Sequence, residues 1–525
     1  MTDGAHARAT AGVLLVGVAL AAVVGSWNPY AGTAVGLLGV AAAGVLAYGP
    51  SVRALARRSR ALGAAPDIVG LVVLSLRLDP AVERATWFAA EHGDGRLAAS
   101  LAAHAREARG RPGTGFAAFA DTWADHLPSL RRAAALADAA VDAPAADRER
   151  LLDRTLAVVV SGAQERASEY ADAVHGPTTA VYAFGVVLPL ALVGVAPAAA
   201  SAGVPVTIGA VALAYAVLLP LAVFATVCWI LARRPVAFPP AEIPPNHPGL
   251  DGRLRRTVLA AVCGAVAALA ASTVLPPWAL PVLLVGWPLG GALACWFEPA
   301  CRVRADARDL EAGLADAISV VGHRIRNGRS VEAAVADAGD TLDGATGDVC
   351  AAAARRMQRL RVGVDAGFLG DHGPLAQTHS QRARAAVSLV VHAADAGRPG
   401  GRVLVDVADL FDDLTRLDRE VRRTFAATTR TLRHTALVYA PLVAGVTVAL
   451  AGRISGIEGA TALPSEQLAL SVGGYVLWLA AVLPALAVGL ERGLDRALVG
   501  YHGGVTLATA AAVYPVTAVA AGAVL

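Results

Sequence analysis

The chain has 525 residues, of which 56% are hydrophobic and only 17% are charged, and its mean hydropathy is +0.54. Soluble proteins carry about one-quarter charged residues, so this composition excludes an ordinary soluble protein and indicates several membrane-spanning helices. The net charge of +3 predicts no nucleic-acid partner. All 45 basic residues are arginine, so the chain lacks the lysine that a Walker A phosphate loop requires. Any nucleotide-driven work is therefore expected to come from a partner protein.

The first half of the chain alternates between apolar and polar segments. Residues 1–50 contain two apolar blocks and predict a transmembrane helix pair in contact with the lipid bilayer. Residues 51–176 are polar with a helical pattern and predict a first helical domain. Residues 177–235 predict a second transmembrane pair. Arginines follow both pairs, beginning at Arg53 and Arg233, so the positive-inside rule predicts a cytoplasmic N-terminus and a cytoplasmic first domain.

The second half repeats this layout after a proline-rich linker at residues 236–255. Residues 256–298 predict a third transmembrane pair, residues 299–433 a second helical domain, and residues 434–525 three further transmembrane helices. The predicted fold is therefore all-α. It is a polytopic membrane protein with about nine transmembrane helices and two duplicated helical-bundle cytoplasmic domains, with the C-terminus outside.

One motif occurs in both polar regions at a fixed offset. Four positions of the first region recur 249 residues later: Asp67 as Asp316, Arg77 as Arg326, Val82 as Val331 and Glu83 as Glu332. In the second region, apolar positions have helical spacing on both sides of Asn327-Gly328, which predicts two short helices joined by a turn. Near the ends of the regions, Thr178 matches Thr435 at an offset of 257, which indicates an insertion of about eight residues. A repeat of this length predicts a duplicated domain.

The apolar blocks carry no ionisable residue in their middle. Pumps and ion-coupled transporters usually place acids or bases there, because those groups carry the coupled charge. Many transporters are nevertheless built from repeats. A multi-span transporter with a duplicated unit therefore remains the competing class of protein.

An acidic run in the second polar region is a candidate cation site. It comprises Asp406, Asp409, Asp412, Asp413 and Asp418. Several of these acids share one helical stripe and could hold a divalent cation, as in a membrane enzyme. Arginines interleave with them at helical spacing, so a salt-bridged helix surface is the favoured interpretation. The five cysteines have no CxxC spacing, and we expect no catalytic residue, no metal and no cofactor.

Residues 393–414 carry the most specific pattern of the chain. Asp395, Gly397, Gly400 and Gly401 form an acidic-x-Gly-x-x-Gly-Gly sequence that precedes an amphipathic stretch with a leucine ladder. This pattern resembles the type II secretion system F-domain family, the membrane platform protein shared by type II secretion systems, type IV pili, Tad pili and the archaeal flagellum. The two-copy layout is similar to the archaeal form.

A second turn carries the same resemblance. Gly328 precedes a helix with the acidic residue Glu332, as in the family's other turn. The family usually has glutamate before its first glycine, where this chain has Asp395-Ala396, and residues 142–147 of the first region lack the glycines. The resemblance therefore implies that the second domain is the main partner contact.

What the resemblance implies is a non-enzymatic platform in the inner or cytoplasmic membrane. A hexameric secretion ATPase would dock on the cytoplasmic domains, and pilin-like subunits would be assembled by a homo-oligomeric platform. The candidate partner contacts are Arg77, Glu83, Arg326, Gly328, Glu332, Asp395, Gly397, Gly400 and Gly401. For the arginines and glutamates of this set, an ion pair within the domain or an exposed helix surface is favoured over a partner contact.

Overall fold

The computed structural model describes residues 63–93, 95–110, 113–202, 207–233, 247–376, 378, 380–396, 398–455 and 464–524. Throughout these ranges every regular element is a helix, so the chain is all-α, as predicted. The predicted helix pair at residues 1–50 and most of the predicted linker at residues 236–255 lie outside the described residues.

The described residues of the first helical domain form six helices. They are α1 (Ala65–Leu78), α2 (Val82–His92), α3 (Gly95–Glu107), α4 (Gly115–Trp123), α5 (Pro128–Asp142) and α6 (Ala145–Tyr182). Pro66 lies in the first turn of α1, where its missing N–H costs nothing. The Thr114 side chain accepts a hydrogen bond from the Ala117 backbone N–H at 3.2 Å and caps α4. Phe116 and Phe119 of α4 are fully buried at the centre of this domain.

Apolar helices follow the first domain. A π-helical segment (Ala183–Val187) continues α6 directly into α7 (Leu188–Ser201), and a second one (Ala214–Leu218) joins α8 (Ile208–Leu213) to α9 (Leu219–Arg233). After a short 3₁₀ turn come α10 (Arg253–Ala271) and α11 (Ala279–Ala312), and α11 extends from its apolar half into the second domain.

The second helical domain has a matching series of helices. They are α12 (Leu314–Arg326), α13 (Val331–Thr341), α14 (Gly344–Leu360), α15 (Val364–Leu369), α16 (Gln381–Ala396) and α17 (Arg398–His434). A third π-helical segment (Thr435–Tyr439) continues α17 into α18 (Ala440–Ser455), which is followed by α19 (Ser465–Arg492) and α20 (Arg496–Val524).

Seven helical runs within the described ranges are long and apolar enough to cross a membrane. They coincide with the seven spans predicted after residue 176, so the chain is a multi-pass membrane protein. α19 is the central helix of this layer, with 72% of its most apolar window buried by neighbouring helices. The corresponding window of α10 is only 6% buried, as expected of a helix whose apolar side chains face lipid.

α11 and α20 cross at small residues. A Cβ atom added to Gly290 would lie 2.7 Å from the backbone atoms Ala508 N and Gly504 O, so a side chain at Gly290 would force the helices apart. In the preceding turn of α11, the Trp287 indole donates to the Ala508 carbonyl at 3.1 Å. The two helices therefore form a fixed pair within the membrane layer.

Each π-helical segment is followed two residues later by a proline: Pro189, Pro220 and Pro441. Proline has no N–H, so the carbonyl four residues earlier loses its helical donor. For Pro189 that carbonyl belongs to Gly185, and the buried Tyr475 hydroxyl of α19 donates to it instead. The π-helical widening thus accommodates the proline ring, and a tyrosine from the central helix satisfies the freed carbonyl.

The helix starts of the two domains run in parallel. Helices α1–α4 begin at residues 65, 82, 95 and 115, and α12–α15 begin at 314, 331, 344 and 364, always 249 residues later. Helices α5 and α6 begin at 128 and 145, and α16 and α17 begin at 381 and 398, which is 253 residues later. The π-helical segments at 183 and 435 differ by 252. The offset at this end is thus smaller than the 257 residues inferred from Thr178 and Thr435. The buried face of a helix decides which residues of the two domains are equivalent, and a short run of similar residues does not.

The two helical domains pack against each other. Leu74 of α1 and Leu156 of α6 are buried in the hydrophobic core of the second domain. In return, Ala385 of α16 is buried in the core of the first domain. Because each core includes residues of the other domain, the two domains form one packed body on the same side of the membrane layer.

Arg382 of α16 joins the two domains by ion pairs. Its Nη2 donates to both carboxylate oxygens of Asp67 in α1, at 2.9 and 3.2 Å, and Nε donates to one of them at 3.2 Å. Its Nη1 also lies 4.0 Å from Oε2 of Glu311 at the end of α11, whose other oxygen accepts a hydrogen bond from Ser380 at 2.6 Å. Arg382 therefore connects the first domain, the second domain and a helix that enters the membrane.

Candidate functional site

The predicted turn at Asn327-Gly328 ends α12 in a Schellman motif. The Gly328 N–H donates to the Ile325 carbonyl at 2.9 Å, and the Arg329 N–H donates to the Arg324 carbonyl at 3.0 Å. Gly328 has a φ of 88°, in the left-handed region that favours glycine. This backbone conformation explains why glycine follows asparagine at the turn.

Glu332 lies in the first turn of α13, immediately after the turn. Ser330 caps this helix by accepting a hydrogen bond from the Ala333 N–H at 3.3 Å. The Glu332 side chain is exposed, next to the positive end of the helix dipole. Its position fixes a carboxylate on the surface, within a few residues of Gly328.

Gly401 brings α17 against the end of α12. A Cβ atom added to Gly401 would lie 2.6 Å from the Arg326 backbone nitrogen and 2.9 Å from the Gly322 carbonyl oxygen. Gly322 approaches α17 just as closely, since its own added Cβ would lie 2.9 Å from Leu404 Cβ. The predicted residues Arg326 and Gly401 are therefore direct neighbours, although 75 residues separate them in the sequence (401 − 326).

The predicted glycine turn before α17 is shorter than the sequence pattern indicates. α16 ends at Ala396 and α17 begins at Arg398, so Gly400 and Gly401 lie inside the helix and not in a turn. Asp395 is in the last turn of α16, and Gly397 lies outside the described residues. At Gly401, glycine is required by the close approach of another backbone rather than by an unusual φ.

The charges at this corner divide into paired and unpaired groups. Asp337 of α13 pairs with Arg324 at 3.2 Å and with Arg329 at 3.7 Å. Arg326 lies between these two arginines and is exposed, and no carboxylate of the described residues lies within 4.0 Å of it. Glu332 is likewise exposed without an ion pair to any described residue. We call Arg326, Gly328, Glu332 and Gly401 the open corner.

The equivalent residues of the first domain have a different environment. The side chain of Arg77 is only 15% exposed and forms an ion pair with Asp153 of α6. Glu83 is exposed in the first turn of α2. In the first domain, therefore, the arginine of the motif is held within the fold.

The Glu83 carboxylate acts on Asp138 of α5. Burial raises the pKa of Asp138, and the hydrogen bond from Thr114 opposes this rise. The Glu83 carboxylate raises the pKa further, by a smaller amount.

Within the acidic run on α17, Asp412 makes ion pairs with interleaved arginines. Asp412 pairs with Arg416 at 2.7 Å and with Arg419 at 3.6 Å. These contacts correspond to the favoured interpretation of a salt-bridged helix surface. Among the residues that the structure describes, no group of three or more His, Cys, Asp or Glu side chains is arranged to hold a metal ion.

Two residues of the open corner's surroundings were missed by the sequence analysis. Gly322 makes the close contact with α17, and His323 is exposed on α12 with its Nδ1 2.8 Å from the Ser319 carbonyl oxygen. A glycine inside an otherwise helical stretch is the one signal that would have indicated Gly322. Comparison with known proteins adds no further residue: no family model, no curated protein and no solved structure matches the chain.

Proposed function

We propose that the chain is the membrane platform of a type IV pilus-like or type II secretion machinery. In this proposal the two helical domains lie in the cytoplasm, a hexameric secretion ATPase binds them, and their motion assembles pilin-like subunits from the bilayer. The platform itself has no catalytic residue, and the energy comes from the ATPase. A lysine-free chain is consistent with this division, since it has no Walker A lysine of its own.

The observation that carries the proposal is the continuity between the helical domains and the membrane. Both domains end in a helix that runs on into the membrane layer without a loop: α6 into α7, and α17 into α18. The second run, Arg398–Ser455, has 58 residues (455 − 398 + 1) and spans about 85 Å at about 1.5 Å per residue. A displacement of either domain would therefore move a transmembrane helix directly.

The π-helical segments give these continuous helices a defined place to bend. The segments meant are Ala183–Val187, which is followed by Pro189, and Thr435–Tyr439, which is followed by Pro441. Each lies at the transition from the polar to the apolar part of its helix. Prolines and π-helical turns are the usual causes of kinks in long helices. We infer that movements of the helical domains are converted into changes of kink angle at these two places.

A duplicated architecture is part of the proposal. The similar offsets between the helix starts of the two domains, 249 for the first four helices and 253 for the last two, support an origin from one duplicated unit. The predicted pair at residues 1–50 would then complete nine transmembrane helices, as the counterpart of α10 and α11. The open corner of the second domain is the proposed ATPase contact, because Arg326 and Glu332 are exposed there and form no ion pair with any residue that the structure describes.

Co-purification from host membranes tests this function. The full-length protein is solubilised in detergent, and the proteins recovered with it are identified by mass spectrometry. We expect a secretion-type ATPase and pilin-like subunits, with recovery of the ATPase reduced by Arg326→Glu and unchanged by Arg96→Glu at an exposed arginine of α3. A protein recovered without these partners, which transports a solute when reconstituted in liposomes, would contradict the platform and favour the transporter.

A further inference from the structure

One large apolar side chain of the helical domains lies in water. Among the residues of these two domains that the structure describes, Leu360 at the end of α14 is the only exposed large apolar residue, with an exposed fraction of 57%. The other large apolar side chains that are exposed belong to the helices of the membrane layer or to the turns that join them, where lipid can cover them. A single exposed leucine is common on protein surfaces, so its surroundings decide whether it has a role.

Leu360 shares one surface of α14 with three arginines. At about 100° per residue, Arg355, Arg356, Arg359 and Leu360 all lie within a sector of about 140° around the helix axis. Met357 lies outside this sector and is buried in the core of the second domain. We call Arg355, Arg356, Arg359 and Leu360 the α14 tip.

The arginines of the α14 tip have no acidic partner among the described residues. Arg355 and Arg359 are exposed, and no carboxylate of the described residues lies within 4.0 Å of any of the three guanidinium groups. Arg356 is half-buried, and its Nε donates to the Ala366 carbonyl at 3.3 Å. The segment that follows α14 contributes two exposed acids that form no ion pair with a described residue, Asp365 and Asp371. Positive charge near a helix C-terminus complements the helix dipole, but the dipole does not account for the exposed leucine.

The first domain does not form the same surface. α3 and α14 begin at equivalent positions, but α3 ends at Glu107 after 13 residues and α14 ends at Leu360 after 17, one helical turn later. At the 249-residue offset, Glu107 is equivalent to Arg356. Gly110, with a φ of 74°, is equivalent to Arg359, so the first domain turns where α14 continues. The helical turn that carries Arg359 and Leu360 is therefore specific to the second domain.

The α14 tip lies beside the open corner. α13 and α14 are joined by two residues, Leu342 and Asp343, and a Cβ atom added to Gly339 of α13 would lie 2.6 Å from the backbone nitrogen of Ala351 in α14. The two helices therefore pack as an antiparallel hairpin. The end of α14 thus lies next to the start of α13, where Glu332 belongs to the open corner.

This end of the second domain is remote from the membrane. α11 and α12 form a helical run of 48 residues, Ala279–Arg326, which leads from the membrane layer to the open corner. Arg326 is 28 residues (326 − 298) beyond the end of the predicted span at residue 298, which corresponds to about 40 Å along the two helices. Lipid headgroups extend only about 5–8 Å from the hydrocarbon layer. The α14 tip is therefore accessible to a soluble partner and not to a lipid.

We propose that the α14 tip binds an acidic surface of a partner protein, with Leu360 in an apolar recess of that surface. Each guanidinium group can donate two parallel hydrogen bonds to a carboxylate. Burial of Leu360 adds apolar contact at the centre of the interface, inside a rim of charge pairs. The inference extends the proposed partner contact from the open corner to α14, and it rests on the proposed function only for the identity of the partner, the secretion ATPase.

Photocrosslinking of the full-length chain in its host membranes tests this surface. Leu360 is replaced by p-benzoylphenylalanine, and the peptides cross-linked on irradiation are identified by mass spectrometry. We expect a peptide of another protein in which Asp and Glu outnumber Arg and Lys. The yield should fall about tenfold when Arg355→Glu and Arg359→Glu are combined, and it should fall as the salt concentration rises.

Two controls come from the first domain. The same cross-linker at Arg106, the exposed equivalent of Arg355, is expected to give no such peptide. Arg96→Glu combined with Arg106→Glu reverses two exposed arginines of α3 and is expected to leave the yield at Leu360 unchanged. Arg359→Gln serves if the double reversal at the α14 tip fails to fold, with an expected loss of about threefold.

The identity of the cross-linked peptide separates this inference from the proposed function. A peptide of the secretion ATPase supports both. An acidic peptide of a different protein, with the same dependence on Arg355 and Arg359, supports the α14 tip and contradicts the ATPase contact. The inference is overturned by cross-links only to the same chain, to a second copy or to lipid, by a peptide without an acidic excess, by the absence of any cross-link, or by a yield that the arginine substitutions do not change.

Discussion

Helices α1 and α12 begin with the same motif and share one buried face, but their opposite faces differ. The shared face is buried at five positions in each helix: Ala65, Ile68, Val69, Val72 and Leu76 in α1, and Leu314, Ala317, Ile318, Val321 and Ile325 in α12. On the other face of α1, Leu71 and Leu74 are also buried, and Leu74 lies in the core of the second domain. The equivalent positions of α12 are the partly exposed Val320 and the exposed His323.

The difference shows how one helix motif is used in two ways. The first domain uses both faces of its motif helix for packing, which explains why the Arg77 side chain at its end is nearly buried and paired with Asp153. The second domain uses one face and leaves the other open, together with Arg326 and Glu332. This difference supports the proposal that the second domain binds the partner and that the first has a structural role.

The largest expected effect comes from truncating the second buried face of α1. Leu74 is 2% exposed, so Leu74→Ala removes buried surface and leaves a cavity between the domains. We expect a loss of about 2–5 kcal/mol in the free energy of unfolding. His323→Ala at the equivalent position of α12 should change it by no more than about 0.5 kcal/mol. Denaturant unfolding of the full chain in detergent measures both, and equal effects would show that the two faces do not differ.

Overpacking at Gly401 is expected to have the next largest effect. Gly401→Ala places a methyl group 2.6 Å from the Arg326 nitrogen, so α12 and α17 must move apart, at a cost of about 1–3 kcal/mol. The control is Gly176→Ala in α6, where an added Cβ has no neighbour within 4 Å and alanine should be neutral or stabilising by up to about 1 kcal/mol. If both variants unfolded at the same temperature as the native chain, the close crossing at the open corner would be refuted.

The ion pair between the domains should contribute less. Arg382→Gln removes two N–H donors from Asp67 and should lower the free energy of unfolding by about 1 kcal/mol, since both side chains are more than two-thirds buried. Arg131→Gln breaks the pair with Asp121, in which both side chains are 64% exposed, and should have no measurable effect. Identical thermal unfolding of the two variants would mean that the boundary between the domains is held by apolar contacts alone.

The smallest effect is a pH dependence that comes from Asp138 in the first domain. Burial raises the pKa of Asp138, so the native state binds its proton more tightly than the unfolded chain does. This contribution to stability is present at acid pH and is lost as the pH rises through the raised pKa. Asp138→Asn should therefore match the native chain at low pH and exceed its thermal stability towards neutral pH. Val391 occupies the equivalent position in α16, so this position of the second domain contributes no such dependence. Parallel melting curves at every pH would contradict this assignment.

The sequence alone predicted those features that depend on local pattern. Apolar blocks indicated the seven spans after residue 176, and Asn327-Gly328 indicated a turn, because both signals come from neighbouring residues. The contacts of Leu74 with the second domain and of Gly401 with Arg326 could not be predicted this way. They join residues far apart in the chain, and an apolar or glycine residue inside a helix looks the same whichever neighbour it meets.

The most direct test of the central claim is a comparison of two matched substitutions, Glu332→Arg and Glu83→Arg. Both glutamates are exposed, both lie in the first turn of their helix, and they are equivalent at the 249-residue offset, so the cost to each helix should be the same. Recovery of the secretion ATPase with the detergent-solubilised full chain is the measurement. We expect about a tenfold loss for Glu332→Arg and no change for Glu83→Arg. Equal recovery for the two variants, or a loss confined to Glu83→Arg, would contradict it.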